Sequence, residues 1–147
     1  MRHIIPGGPH VRIQAYLWEF DKGLSGKINY KYILEIKDCF NKWLLFVPLK
    51  DKNGETVLRE IKKYIIAFGK PSIIQTDNCG EFNNLEAKLY YENNDIKHIN
   101  SSPRCPESNG QIESQHKTLQ KHIKIALAEK NNFNLYDIIN DCLYSYN

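Results

Sequence analysis

With 147 residues, 41% of them hydrophobic and 25% charged, the sequence has the size and composition of a single globular domain with its own core. No apolar run approaches the roughly 20 residues of a membrane-spanning helix, so we expect neither a signal peptide nor a membrane partner. The net charge of +3 is compatible with nucleic-acid binding but does not by itself indicate it. The four cysteines have no disulfide or zinc spacing, which predicts free thiols in a reducing compartment.

The first third of the sequence predicts three strands. In residues 11–20 large apolar side chains occupy both alternating faces, as in a central strand that is covered on both sides. Gly23, Gly26 and Asn29 then indicate a turn. A second strand at 30–38 and a third at 42–49 are separated by a short gap. They are therefore predicted to form an antiparallel hairpin.

The pattern changes from strand to helix at residues 56–68, whose apolar side chains recur on one helical face. Gly69 fits the position just after a helix, and Pro71 follows as a stop signal. Residues 72–76 form a short apolar strand that ends at Asp77.

The second half of the sequence alternates helices with one short strand. We expect a helix at 83–94, a strand at 96–99, a loop at 101–109, a long helix from about 109 to 130 and a last helix at 135–146. Because helical segments link the third, fourth and fifth strands, these strands are predicted to pair in parallel. The predicted fold class is α/β, with a mixed five-stranded sheet that begins antiparallel, ends parallel and carries helices on both faces.

Three acidic residues are candidates for chemistry: Asp21 after the first strand, Asp77 after the fourth, and Glu113 near the start of the long helix. Strand ends beside helix starts form the crevice where ligands bind in such sheets. Two carboxylates about 4 Å apart repel by about 4 kcal/mol at an effective dielectric of about 20, so three of them need a cation, and oxygen ligands select Mg²⁺ or Mn²⁺. Each acid taken alone is more often a solvated surface charge, and spacing does not decide between these interpretations.

Four segments carry a resemblance to a known family: Trp18-x-x-Asp21, residues 32–42, residues 69–82 and residues 102–113. Over about residues 15–147 the sequence resembles the integrase catalytic core of retroviruses and long-terminal-repeat retrotransposons. The form Pro-Arg-x-Pro-x-Ser-x-Gly-Gln-x-Glu is most similar to the Ty3/Gypsy group. The 35 residues between Asp77 and Glu113 match that family's D,D(35)E pattern.

The resemblance implies a ribonuclease H-like fold and a reaction, hydrolytic trimming of a DNA 3′ end followed by attack of that 3′-hydroxyl on a target phosphodiester. It implies that Asp21, Asp77 and Glu113 bind two Mg²⁺ or Mn²⁺ ions, with Asp21 bridging both. It also implies that the partners are element ends and target duplex DNA, that the protein is a homodimer or a higher oligomer, and that it acts in the nucleus. Residues 1–147 are then expected to be the catalytic core without its final segment and without the flanking zinc-binding and C-terminal DNA-binding modules.

The same resemblance suggests contacts with DNA. Lys117 and Lys121 follow Glu113 on the polar side of the helix and are candidates for phosphate contacts, although a solvated lysine face is an equal alternative. The further candidates for DNA contact are Gln120, Asn109, Gly110 and Asn78, with Asn109 and Gly110 placed in a loop over the site. His116 stands where the family usually has Asn and is expected on the helix surface or at an interface.

Two alternatives to the enzyme remain open. Cys79 stands where the family usually has Gly and is strained if that position needs a positive φ. A catalytically inactive, domesticated integrase fold that binds DNA or protein is therefore one alternative, and a nuclease acting on RNA in hybrids is another. Asp38 is interpreted as a strand-end cap, and Trp18 as a core residue.

Overall fold

The computed structural model describes residues 11–40, 43–100, 106–129 and 134–146, with the side chains of residues 106–115 and 145–146 left aside. Within these ranges the strands are β1 (Arg12–Glu19), β2 (Tyr32–Asp38), β3 (Leu44–Leu49), β4 (Ile73–Thr76) and β5 (Lys97–Asn100). The helices are α1 (Lys22–Ile28), α2 (Gly54–Phe68), α3 (Leu85–Asn93), α4 (Pro106–Glu129) and α5 (Leu135–Tyr146). No helix in the described ranges is both long and apolar enough to cross a bilayer.

The strands form one sheet in the order β3-β2-β1-β4-β5, which confirms the predicted mixed sheet. The predicted parallel pairing of the third strand with the fourth is wrong, because β4 pairs with β1 and β3 lies at the opposite edge. β2 pairs antiparallel with both β1 and β3, while β4 pairs parallel with β1 and with β5. β1 is therefore the central strand, as its two apolar faces predict. Its parallel register with β4 runs from Arg12 beside Ile73 to Ala15 beside Thr76.

Helices cover both faces of the sheet, so the predicted three-layer arrangement is confirmed. On one face, Ile13 and Ala15 of β1 pack with buried side chains of α2 and α3. On the other face, Trp18 and the buried Phe20 pack with buried side chains of α1, α4 and α5. Odd and even positions of β1 thus face different helical layers, because successive side chains of a strand point to opposite faces.

α1 occupies the segment for which the sequence predicts a turn, and this prediction is wrong. Leu24 and Ile28 lie one helical turn apart and are both buried in the cluster with α4 and α5. Asn29 ends the helix in the left-handed region, with φ 64°, and its N–H donates to the carbonyl of Ser25. Burial of one apolar edge outweighs the low helix propensity of two glycines, a tertiary effect that local signals do not carry.

Two helix boundaries also differ from the sequence-based prediction. α2 begins at Gly54 and ends before Gly69, whose φ of +99° confirms the need for glycine after the helix. α4 begins at Pro106 rather than near residue 109, since proline is well suited to the first helical position. Asn109 and Gly110 therefore lie within the helical backbone of α4 and not in a loop.

Candidate functional site

Asp77 lies directly after β4 and is held by its own loop. Its Oδ1 accepts a hydrogen bond from the N–H of Cys79 at 3.0 Å, and its main-chain oxygen accepts one from Asn83 Nδ2 at 3.0 Å. The carboxylate lines a small cleft of about 170 Å³ at the end of the sheet. Other lining residues of that cleft include Glu19, Lys52, Cys79 and Glu81, and Lys52 Nζ lies 3.5 Å from Glu81 Oε1.

Cys79 is compatible with the loop that fixes Asp77. Among the described residues, the non-glycine residues with a positive φ are Asn29 and Asp95, so the strain expected at Cys79 is absent. The hydrogen bond with Asp77 and burial raise the pKa of the Cys79 thiol to about 11. Asn78, between the two residues, is exposed, and its contact with DNA stays a prediction.

Asp21 lies two residues beyond the end of the central strand, at the start of α1. It is the N-cap residue of that helix, and its backbone N–H donates to Gln120 Oε1 of α4 at 2.8 Å. Its Oδ2 lies 3.3 Å from Lys124 Nζ in an exposed ion pair. Gln120, predicted to contact DNA, thus has a structural role in joining α4 to α1.

The structure does not bring Asp21 to Asp77. Two carboxylates that share one Mg²⁺ each place an oxygen about 2.1 Å from the ion, so those oxygens lie within about 4 Å of one another. The β1–β4 register puts Ala15 beside Thr76, so the residue of β1 nearest in level to Asp77 is Tyr16. Asp21 lies five residues beyond Tyr16, which corresponds to about 16 Å of extended chain. Asp21 instead lines a different cleft, together with Lys27 and Lys124.

The residue level with Asp77 on the central strand is Tyr16. Gln14 and Gln75 are register partners, and their side chains lie on one face of the sheet, with Gln14 Nε2 3.4 Å from Gln75 Oε1. Two residues further along both strands come Tyr16 and Asp77. Asp77 is the first residue after β4, and continuing the alternation of the strand by this one residue puts both on that same face. No local motif marks Tyr16 in the sequence, and only the register between β1 and β4 identifies it.

Glu113 belongs to α4, whose alignment with β1 is given by two contacts. Trp18 stacks on His116 with ring centroids 3.7 Å apart, and Asp21 binds Gln120. One turn before His116 the backbone reaches position 113, whose side chain lies outside the described set. The role of Glu113 as a ligand therefore stays a prediction.

A buried polar cluster lies beside Tyr16, formed by Trp18, Glu35 and His116. Glu35 of β2 is the register partner of Tyr16 and is 1% exposed. His116 Nε2 lies 3.7 Å from Glu35 Oε2, too far for a hydrogen bond. Within the described part of the chain, Trp18 Nε1, both Glu35 oxygens and His116 Nε2 have no hydrogen-bond partner.

The cluster corrects the prediction for His116 and adds Glu35, for which no role was predicted. His116 is a largely buried residue that packs between α4 and the sheet, and not a helix-surface residue, because the indole of Trp18 covers its ring. Glu35 was not singled out, although an acid within the apolar run Tyr32 to Ile36 is the signal that could have identified it. Asp38 behaves as predicted: its Oδ1 caps the strand end by accepting from the N–H of Phe40 at 2.8 Å.

Exposed lysines follow the outer surface of α4 and α1. Lys117, Lys121 and Lys124 recur every three to four residues and share one side of α4. Lys27 lines a cleft of about 700 Å³ together with Lys124, and Lys22 is the first residue of α1. We call Lys22, Lys27, Lys117, Lys121 and Lys124 the basic face.

The residues present do not fit the metal centre that the family resemblance implies. Among the described side chains, which do not include that of Glu113, no group of three His, Cys, Asp or Glu residues is arranged to hold a metal ion. Asp77 is positioned at the end of its strand, but the carboxylate expected to bridge two ions, Asp21, is paired with Lys124 in another cleft. No chemical step through a metal follows from this arrangement.

Comparison with known proteins identifies a matching family model and viral polyproteins of similar sequence. Residues 12–106 match the family model described as the integrase core domain. The Gag-Pol polyprotein of avian reticuloendotheliosis virus is 30% identical over 112 residues, which are 72% of this chain and 10% of the relative. The Pol polyprotein of radiation murine leukemia virus (strain Kaplan) is 27% identical over 132 residues, or 82% of this chain and 22% of the relative. The chain thus spans less than a quarter of the length of these relatives.

Solved structures with the same fold include two from related viruses. The HTLV-2 integrase catalytic core domain in complex with magnesium, in its trimeric form, has a TM-score of 0.71 at 20% identity, covering 93% of this chain and 84% of that chain. The simian T-cell lymphotropic virus intasome in complex with PP2A regulatory subunit B56 gamma has a TM-score of 0.75 at 18% identity, covering 99% and 50%. At these identities the likeness concerns the fold, and it confirms the ribonuclease H-like architecture.

Proposed function

Since the chain belongs to the integrase core domain family and is of the retroviral type, we propose that it binds the sugar–phosphate backbone of duplex DNA as an integrase-type core that does not itself transfer strands. The observation that carries this proposal is the basic face on α4 and α1. We exclude strand transfer because Asp21 and Asp77 lie too far apart to share a metal ion. Chromosomal DNA makes the nucleus the compartment that we propose for this role.

The basic face groups five of the 20 lysines and arginines of a chain whose net charge is only +3. Its five lysines are all exposed, and the acids among them, Asp21 and Glu129, neutralise only part of their charge. A row of lysines spaced along one side of a helix supplies sequence-independent phosphate contacts, which release counterions and give most of the affinity in non-specific DNA binding. Lys117 and Lys121 make no ion pair with any other described side chain, whereas Lys124 is already paired with Asp21.

Salt-dependent binding tests this role. Fluorescence anisotropy with a labelled duplex, measured between about 50 and about 200 mM salt, gives the slope of log K against log salt, to which each phosphate contact contributes about −0.9. The double variant Lys117→Gln/Lys121→Gln is expected to flatten that slope by about 2 and to weaken binding alike for unrelated duplex sequences.

The matched control is Lys63→Gln/Lys70→Gln, which removes the same charge at α2 and just after it, on the opposite face of the sheet. This control is expected to leave the slope almost unchanged. If the two double variants weaken binding equally, the net charge and not the basic face determines binding, and the proposal is wrong. Absence of duplex binding at low salt contradicts it as well.

Metal-dependent 3′-end processing and strand transfer is the second candidate function. It is supported by the family, by the fixed position of Asp77 and by the motif spacing of Glu113. Oligonucleotide strand-transfer assays with Mg²⁺ or Mn²⁺ decide between the two. We expect no product above background. Activity that is lost in both Asp77→Asn and Glu113→Gln replaces the first proposal with this one.

We also propose self-association as a homodimer through α2. This helix exposes Ile66, 85% accessible, and Phe68, 38% accessible, on its outer surface. A second copy is the proposed occupant of this apolar surface, because HTLV-2 integrase core domains occur in dimeric and trimeric forms. Analytical ultracentrifugation is expected to detect dimers that Ile66→Glu converts to monomers, whereas Ile125→Glu on α4 leaves them intact.

A further inference from the structure

We infer that Tyr16 occupies the strand position from which a carboxylate would have to reach an ion held by Asp77, and that Tyr16→Asp supplies the missing ligand. This inference rests on the proposed non-catalytic function and names its cause. It concerns a residue that the family resemblance did not mark, since the motif at Trp18-x-x-Asp21 points to a different carboxylate.

The first step is the strand register. β1 and β4 pair in parallel up to Ala15 and Thr76, so the next residues, Tyr16 and Asp77, lie side by side at the strand separation of about 4.8 Å. The side-chain contact of Gln14 with Gln75 two residues earlier fixes which face these positions share. A short carboxylate at position 16 is therefore within reach of an ion bound by Asp77.

The second step is the position of α4. Trp18 stacks on His116, and the chain direction of α4 follows that of β1, because Asp21 binds Gln120 further along both. From Trp18, two residues back along β1 lead to Tyr16, a distance of about 6.6 Å. From His116, three residues back along α4 lead to residue 113, a distance of about 4.5 Å along the helix axis. Position 16 is therefore level with both of the other motif acids. By the same measure, Asp21 is level with residue 120, seven residues or about 10 Å beyond Glu113.

The third step is chemical. Hard divalent ions take carboxylate and carbonyl oxygens, and a phenol side chain is not among their usual ligands. The tyrosine ring also fills space that a short carboxylate leaves open for an ion and its waters. With Tyr16 in this place, the residue of the central strand that is level with Asp77 carries no charge.

Two nearby acids, Glu35 and Glu19, do not take the place of a carboxylate at position 16. Glu35 is directly opposite Tyr16 on β2, but this puts it two strands from Asp77, about 10 Å away, and its carboxylate faces His116. Glu19 lines the cleft of Asp77 but stands at an odd position of β1, on the other side of the strand from Tyr16. Each acid gives a variant that the experiment includes.

The experiment measures Mn²⁺ binding by electron paramagnetic resonance and calorimetry on the folded chain. We expect Tyr16→Asp to bind Mn²⁺ more tightly than the wild type, by on the order of tenfold or more, because ligand charge sets the affinity of such sites. The gain is expected to vanish in Tyr16→Asp/Asp77→Asn. The matched control is Tyr16→Asn, since asparagine has the shape of aspartate without its charge. This variant is expected to bind Mn²⁺ no more tightly than the wild type.

The wild-type protein provides an independent test that does not depend on the folding of a variant. Its Mn²⁺ binding is expected to be unchanged in Asp21→Asn and Glu19→Gln. If the wild type binds Mn²⁺ and either variant loses that binding, the inference is overturned. Asp21 or Glu19 would then supply the ligand that the inference assigns to position 16. A Tyr16→Asp protein with wild-type circular dichroism and no gain in Mn²⁺ affinity overturns it too. Neither result affects duplex binding through the basic face, so failure here is distinguishable from failure of the proposed function.

Discussion

Glu35 and Asp38 are buried carboxylates on the same strand, β2, and we expect opposite effects when each loses its charge. Both residues are 1% exposed. Asp38 Oδ1 accepts a hydrogen bond from the N–H of Phe40, whereas both oxygens of Glu35 have no hydrogen-bond partner in the described part of the chain. A buried polar group without a partner costs about 1–3 kcal/mol, and a hydrogen bond to a charged group contributes about 1.5–3 kcal/mol.

The magnitudes follow from this difference. Glu35→Met keeps the length of the side chain and removes both unpartnered oxygens, so we expect the free energy of unfolding to rise by about 1–3 kcal/mol. Asp38→Asn weakens a charge-assisted hydrogen bond and is expected to lower it by about 1–3 kcal/mol. For a domain of this size each 1 kcal/mol corresponds to a shift of about 2–4 °C in Tm.

Urea denaturation followed by circular dichroism measures both variants, with the slope against urea as a check that the unfolded state is unchanged. Glu35→Gln, which removes the charge and keeps an amide, is expected to lie between the wild type and Glu35→Met. The reasoning is refuted if Glu35→Met loses more than about 1 kcal/mol, since the carboxylate would then be satisfied in the folded protein. Equal losses in Glu35→Met and Asp38→Asn would also refute it.

Three further outcomes are expected. Leu119→Ala, which truncates a fully buried side chain of α4, lowers the free energy of unfolding by about 2–5 kcal/mol in urea denaturation, and a loss below about 1 kcal/mol contradicts the packing described. Asp77→Asn lowers the pKa of Cys79 from about 11, so iodoacetamide alkylates this thiol faster near pH 8.5 while buried Cys142 stays protected in the same mass spectrum. Burial lowers the pKa of His98, so the unfolded state binds a proton more readily than the folded state. The free energy of unfolding therefore falls as pH drops from about 6.5 through the folded-state pKa. His98→Gln is expected to remove this contribution from the slope of the free energy of unfolding against pH.

Local patterns in the sequence were sufficient for most of the fold. Alternating apolar residues identified the five strands, and the apolar stripe of residues 56–68 identified α2 together with its end at Gly69. These signals are readable because burial repeats with the period of the element that carries it. The frame around Asp77 was equally local, since a short strand, a turn and a hydrogen bond two residues away hold that side chain.

The tertiary structure alone decided which position of the central strand is level with Asp77. Residues 16 and 77 are 61 positions apart, and their pairing depends on the register between β1 and β4, which the packing of Ile13 and Ile74 in a shared core sets. A shift of one residue would exchange the faces of the strand, and no local motif reports that choice. For the same reason the burial of Glu35 and the helix at Leu24 became visible only after the layers had packed. The family could therefore be identified from its motifs, whereas the completeness of its site required the three-dimensional pairing of strands distant in sequence.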